Sequence, residues 1–560
     1  MIDPAQAPEG LIAELAAGRV RWDLVGAFPR EDPDALAAGD AVIERVSAVL
    51  DSVLEGQAAE DGREPPREFF EAAHREGLLR LQLDPADGGL GLPDHAAFRV
   101  VVAAMERSTA LGFSLAAHNG IGLPALLAVV PSGPLRELIV KRLAQGAVSG
   151  WADTEPSGAG NTFPAMVATP GGDGGFRLTG EKVFIANGTV ADELIVSAAV
   201  PRPQGDPDAC LFLVDTRSEG FHVLSSQEVA GLKGLPLGAL RLDGVDVPAE
   251  RVIVGPGVHW RDAGNGLLEA VSSRGRTYLV SGAALAIARR CVEIQRGFAR
   301  RRAIDSRPLA QFPVIRELTA RSLADLYALE TVVRWGLLGD SALTARHRER
   351  AAAKNITTIA CWRIVDRTVS LLGAEGVETA VSKQRRAVPG PPVEQLFRDA
   401  RVLRITGGVD FAVDFWLGEA LIARVSREAS SRTDVDEAEA PRDVRLSGPN
   451  AEHLDHITAQ SRRLARVVGK LAQVGPGEAT FDRQPAFAAV GGIAGELLAM
   501  TLTLARAADA GSTAGGREQL LADIFCRDAR QRLALKWPDA EDGRESPAHR
   551  DVSNWWFKAA

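Results

Sequence analysis

Two short segments bring together side chains that could shape and charge a binding cleft. Trp151-Ala-Asp-Thr-Glu-Pro-Ser-Gly-Ala-Gly-Asn161 sets an aromatic, two acids and a hydroxyl before a turn of small residues. Leu178-Thr-Gly-Glu-Lys-Val-Phe-Ile-Ala-Asn-Gly188 then offers a cation, an aromatic and an amide along one extended run. Further on, Ser273-Arg-Gly-Arg-Thr-Tyr278 pairs Arg276 with Tyr278, one of only two tyrosines, which could serve as a weak acid or simply pack in the core. Asp410 follows the Gly407-Gly408 pair and could accept a proton, or could cap a helix. Read individually, these are modest signals: Thr-Glu-Pro can be a strand-ending turn, and Phe184 an ordinary core aromatic.

The elements that must position these residues follow from hydrophobic periodicity. Over residues 33–148 apolar residues recur at helical spacing, as in Ala35 to Leu54 and Glu68 to Leu79, with a turn-rich break at Pro85-Ala-Asp-Gly-Gly-Leu-Gly-Leu-Pro93. Residues 149–258 change to short β-branched runs between Gly, Asp and Pro, which predicts an antiparallel sheet or β-barrel. Long amphipathic segments return over 259–425, at Thr277 to Arg301, Val314 to Leu338, Arg348 to Leu372 and Val393 to Ile422, and predict a four-helix bundle. Residues 426–445 are acidic and poor in large apolar residues, the composition of a linker, and 446–540 reads as an extra C-terminal helical domain. The fold class expected is mainly α with a central β-barrel.

Composition narrows the partners. The chain of 560 residues carries a net charge of −9 with its basic residues scattered, so a nucleic-acid partner is not expected. Cys210, Cys291, Cys361 and Cys526 are far apart with no histidine cluster beside them, which points to buried thiols rather than zinc or disulfides. The N-terminus has no basic segment leading into an apolar run, and apolar stretches such as Ile121 to Val130 reach about half of the ~20 residues a membrane span requires. A cytoplasmic protein without a membrane span is expected. Ala486 to Leu504 is apolar but interrupted by Gly491, Gly492, Gly495 and Glu496, and is expected to pack against a second copy of the chain.

The two motifs at this interval inside a predicted sheet domain resemble the paired signatures of the acyl-CoA dehydrogenase superfamily. Ala117-His-Asn-Gly-Ile-Gly-Leu123, Arg398-Asp-Ala-Arg-Val-Leu-Arg-Ile405 and Leu520-Leu-Ala-Asp-Ile-Phe-Cys526 extend the likeness, the last into the extra helices of the very-long-chain branch. The resemblance implies that fold, with FAD as cofactor, an acyl-CoA or acyl-carrier-protein thioester as substrate, and a homodimer or a heteromer with a related subunit. It implies that Trp151, Asp153, Thr154, Phe184 and Ala186 lie against the flavin, and that Arg302 reaches the flavin pyrophosphate of a neighbouring subunit. Arg276 matches the arginine that shapes the acyl site.

The sequence departs from the family where the chemistry is concentrated. Gly407 stands at the glutamate that removes the α proton in most branches, and Gly275 at the base position of another branch. Phe184 replaces a tryptophan and Ala186 a threonine; Asp305-Ser306 replaces Phe-Gly; Ser370, Ala374, Val409, Phe411 and Asp87 are further departures. These changes imply weakened or lost FAD binding. Asp410 is the nearest stand-in base, with Glu269 and Asp414 more distant. Three functions follow from the resemblance: α,β-dehydrogenation of an acyl thioester, a catalytically silent or regulatory subunit, and a flavin monooxygenase on the same fold.

Overall fold

A computed structural model of the chain describes residues 10–54, 67–257, 266–338, 346–388, 390, 392–428, 445–473, 481–510 and 516–558, and the side chains of 266–270 and 426–428 are not among what it describes. The expected linker over 426–445 falls almost wholly outside the described residues, as does the side chain of Glu269.

The N-terminal helices are Pro33–Leu54, Arg67–Arg75, Asp94–Arg107, Thr109–Ile121, Leu123–Leu127 and Pro134–Ala144. Ser108 starts its helix by accepting a bond from the Leu111 amide at 3.4 Å. Gly77 follows the Arg67–Arg75 helix at φ +75°, and any side chain there would meet Leu90 within 2.9 Å, so glycine is required for both reasons.

The sheet strands are β1 (Ser149–Ala152), β2 (Val167–Pro170), β3 (Phe176–Ala186), β4 (Glu193–Val200), β5 (Asp208–Asp215), β6 (Phe221–Ser226), β7 (Leu237–Val247) and β8 (Val252–Val254). They pair in the order β6-β7-β3-β2-β4-β5-β8, with β1 beside β4. The sheet is mixed rather than purely antiparallel, because β1 and β2 each run parallel to β4. Central β4 is buried along its whole length, which is why Glu193-Leu-Ile-Val-Ser reads as a near-continuous run instead of an alternating one.

The bundle comprises Gly266–Gly275, a π-helical turn at Arg276–Ser281, Gly282–Arg301, Pro313–Leu337, His347–Leu372, Val393–Leu403 and Asp410–Glu428. Periodicity alone predicts one helix from Val393 to Ile422. The structure breaks it at 404–409, where Gly407 and Gly408 adopt φ +72° and +109°. Apolar residues continue beyond the turn, and the break falls at the two glycines whose positive φ no helix accommodates.

Gly448–Ala472, Gln484–Ala510, Arg517–Asp542 and Pro547–Lys558 form the C-terminal layer. Short helices at Leu11–Ala16 and Trp22–Val25 share its core, with Ser461 Oγ donating to the Leu15 carbonyl at 2.7 Å. The Gln484–Ala510 helix packs within its own chain rather than against a second copy. A side chain at Gly491 would lie 1.9 Å from the Asp414 carbonyl, and one at Gly418 1.9 Å from that of Phe487, so the two helices cross backbone to backbone. Gln484–Ala510 and Thr109–Leu127 are long and apolar enough to cross a membrane, the first despite its glycines. Protein buries 89% and 94% of them respectively, as expected of core segments.

Candidate functional site

The first two motifs are joined by a buried ion pair. Lys182 Nζ, with its side chain fully buried, donates to Glu155 Oε1 at 2.8 Å, to Ser197 Oγ at 3.0 Å and to the Asp153 carbonyl at 3.1 Å. Glu155 accepts in turn from the amides of Ala165 and Met166 at 2.5 and 2.9 Å. Ser197 Oγ donates to Asp153 Oδ1 at 2.6 Å, and the Val183 amide to the Thr154 carbonyl at 2.9 Å. Thr-Glu-Pro is therefore a loop pinned on a buried charge pair, and Trp151, Asp153, Thr154, Phe184 and Ala186 are gathered at one end of β1 and β3. Both residues of the pair lie inside the motifs, but the sequence reading assigned them no partner.

Phe184 is not a core aromatic. It sits in an irregularity of the β3–β7 ladder at φ +57° and is 54% exposed, its amide held by Gln227 Oε1 at 2.5 Å. A bulky residue with positive φ and an uncovered ring is an outlier of the kind that functional sites retain.

One helix, Thr109–Ile121, spans from these strands to the bundle. Ser114 Oγ donates to Asn187 Oδ1 at 2.6 Å, and Asn187 Nδ2 donates to the Ser114 and Ser149 carbonyls at 3.1 and 3.0 Å. His118 Nδ1 accepts from the Ser149 amide at 3.0 Å, so its proton is on Nε2, which donates to the Leu79 carbonyl at 2.9 Å. Burial pulls this imidazole down to about 4. At the end of the helix, Ile121 covers Gly275: a Cβ built on Gly275 would fall 2.0 Å from Ile121 Cγ2.

Gly407 presents a different surrounding. It is exposed, and a Cβ there would meet Arg276 Cγ and Val280 Cγ2 at 3.4 Å, an ordinary contact distance. Arg276 Nε donates to the Gly407 carbonyl at 2.8 Å, so the structure brings the two glycine positions to opposite ends of one arginine. Neither position holds a titratable group. Asp410 does not fill the gap. It accepts from Arg404 Nε at 2.9 Å and from the Phe411 amide at 2.9 Å, as a carboxylate capping the Asp410–Glu428 helix. Burial raises its carboxyl, but the Arg404 bonds outweigh it and the net shift is downward. Asp414 is tied to Asn355 Nδ2 at 2.7 Å, with its carboxyl pushed up by burial.

Tyr278 is core packing. Its hydroxyl donates to the Asp94 carbonyl at 2.6 Å and Arg274 lies over its ring at 5.0 Å, while burial raises the phenol well above its usual range. Arg302 is exposed at the far end of Gly282–Arg301 and is not brought to the cleft of its own chain: at 1.5 Å per residue it lies roughly 39 Å from Arg276. Just beyond it, Asp305 and Ser306, at φ +47° and +66°, turn a two-residue hairpin. Phe411 is 70% exposed and Asp87 lies 4.0 Å from Arg136.

The known proteins this chain resembles agree with one another. Three family models match in order: the N-terminal domain of acyl-CoA dehydrogenase over residues 38–147, its middle domain over 150–245 and its C-terminal domain over 272–410. A probable acyl-CoA dehydrogenase of Mycobacterium tuberculosis, FadE10, is 28% identical over 93% of this chain and 84% of that protein. The human mitochondrial very long-chain specific acyl-CoA dehydrogenase is 26% identical over 60% of this chain and 50% of that protein. Among solved structures, an acyl-CoA dehydrogenase complexed with FAD from Bacillus anthracis superposes with a TM-score of 0.75 at 19% identity, covering 98% of this chain and 94% of that one.

Proposed function

Because the chain belongs to the acyl-CoA dehydrogenase family, we propose that it is a cytoplasmic, FAD-dependent flavoprotein that acts on an acyl-CoA or acyl-carrier-protein thioester by α,β-dehydrogenation. The observation that carries this reading is the retained frame of the cleft. Phe184 offers an open ring next to Val183, whose amide holds the Thr154 carbonyl, and Arg276 holds the Gly407 turn in the bundle.

The residues present fit a flavin. The exposed face of Phe184 can stack on a planar ring, smaller than a tryptophan face but unobstructed. The small side chain of Ala186 leaves room on this strand, and Trp151, Asp153 and Thr154 are the remaining residues proposed for the flavin side. Arg302, out of reach in one chain, would serve a second copy, which makes a homodimer, or a heteromer with a related subunit, part of the proposal. When bound, FAD supplies the acceptor for the β hydride. Arg276 orients the acyl thioester and keeps the Gly407 carbonyl turned toward itself. Neither Gly407 nor Gly275 can take the α proton, so dehydrogenation here requires a positioned base from outside these two positions.

One observation favours a second reading, a catalytically silent partner subunit: Ile121 occupies the space at Gly275, and Asp410 is committed to Arg404. An absorbance spectrum of the purified protein before and after adding FAD, followed by anaerobic addition of an acyl-CoA, separates the two. Flavin bands bleached by the thioester are expected. An unbleached flavin would favour the silent subunit, and no flavin uptake would overturn both FAD binding and dehydrogenation. Gly407→Glu, which the geometry accommodates, is expected to raise the rate of bleaching.

A further inference from the structure

The turn over 404–410 carries no reactive side chain, yet most of its carbonyls are held. The Arg404 carbonyl accepts from the Asp410 amide at 3.2 Å, and the Gly407 carbonyl from Arg276 at 2.8 Å. Beneath them lies Lys354, on the His347–Leu372 helix, fully buried. Its Nζ donates to the Gly408 carbonyl at 2.6 Å, to the Arg404 carbonyl at 3.0 Å and to Asn355 Oδ1 at 3.2 Å. Three donors meet three acceptors, none of them a carboxylate. A buried ammonium with neutral partners is costly to keep, so the backbone it holds must be worth holding.

Asn355 extends the contact. Its Nδ2 donates to the Asp410 carbonyl and to Asp414 Oδ1, each at 2.7 Å. Asp414 lies where the Asp410–Glu428 helix touches the Gln484–Ala510 backbone at Gly491. The C-terminal layer is thus two side chains from the turn.

We propose that Lys354 is the positioning residue of this turn: its buried ammonium locks the Arg404 and Gly408 carbonyls. That the turn borders an acyl site rests on the proposed function; the lock itself does not. Lys354 cannot act as a proton acceptor while all three of its hydrogens are engaged below the turn, so it acts through the backbone and not on the substrate.

The lock is sensitive to pH. Burial pulls Lys354 down to about 8, and the charged groups facing it are Asp410 and Asp414 from one helix, Arg404 from the turn and Arg276 from the π-helical segment. Above that pH the amine keeps two hydrogens for three acceptors and its charge no longer strengthens the bonds to the two carbonyls.

Hydrogen–deuterium exchange on the full-length protein tests this, with rates corrected for intrinsic base catalysis. Lys354→Met is expected to speed exchange of the amides of residues 404–412 roughly tenfold, the loss of a charge-assisted bond, while Gln484–Ala510 stays protected. Wild type is expected to lose protection at the same amides between pH 7 and pH 9, and Lys354→Met to show no such response. Equal exchange in the two proteins, or a loosening spread evenly over the chain, would overturn the proposal. Should Lys354→Met fail to fold, Lys354→Gln, which has fewer donors and no charge, takes its place: exchange over residues 404–412 equal to wild type refutes the lock. Calorimetric titration with an acyl-CoA keeps the two readings apart. If wild type binds none, the proposed function fails and the exchange result still stands on its own.

Discussion

The two sides of the cleft have kept different things. On the strand side, β1, β3 and the Thr-Glu-Pro loop retain their polar side chains and use them on one another: Lys182 with Glu155, Ser197 with Asp153, Asn187 with Ser114. On the bundle side Gly275 and Gly407 carry no side chain that could do chemistry, while the backbone around Gly407 is held by Lys354 and Arg276. Scaffold and reactivity are therefore separable. A carboxylate can vanish from a turn without the turn relaxing, because the bonds that shape the turn end on carbonyls that every residue possesses. The two glycines also differ between themselves: Ile121 has closed over one, while at the other a Cβ would meet only ordinary contacts with Arg276 and Val280.

The strand side should break first. Lys182→Met leaves Glu155 buried without its cation and is expected to cost about 3–5 kcal/mol, read as a large fall in the thermal midpoint. Stability that does not change would mean that the pair does not hold the motifs together.

The helix joining the two sides gives a pH signature. The folded-state value of His118, about 4, lies below its unfolded value near 6.5, so the unfolded chain binds more protons between these limits. Stability is full above pH 6.5 and falls as pH drops toward 4, by on the order of 3 kcal/mol. Denaturant midpoints across pH 4–7, with His118→Asn as the comparison, check this: the variant should show a shallower acid slope.

On the bundle side, Gly275→Glu must displace Ile121 and is expected to cost about 1–3 kcal/mol, much of it recovered when Ile121→Ala is added. Gly407→Glu meets no clash and pays only for its φ of +72°, roughly 1–2 kcal/mol. Thermal shifts that came out equal would erase the distinction between a filled and an open position. The smallest change expected is Asp410→Asn. It keeps a capping oxygen but loses the charge paired with Arg404, for about 0.3–1 kcal/mol near neutral pH. Because the Asp410 carboxyl is lowered in the folded state, that difference is present above its unfolded value near 3.9 and disappears as pH falls through the folded one.

Much of this was legible in the sequence. Local patterns identified the family and the three-part order of helices, strands and helices, because motif residues and hydrophobic periods are properties of short segments. Other features depended on partners tens of residues or more apart in the chain. The helical period ran unbroken across 404–409, where only the φ values of two glycines reveal a turn. Glu155 and Lys182 were read as motif letters, and nothing local showed that one neutralises the other. The Gln484–Ala510 helix, expected to meet a second copy, instead packs on Gly418 of its own chain. The sequence by itself determined which reactive groups are absent, since a glycine carries none in any fold. Only the tertiary structure decided what surrounds these positions: a methyl group of Ile121 at Gly275, Arg276 and Val280 at contact distance from Gly407, and a buried lysine beneath. Close packing and buried hydrogen bonds are settled between residues that meet only when the chain has folded.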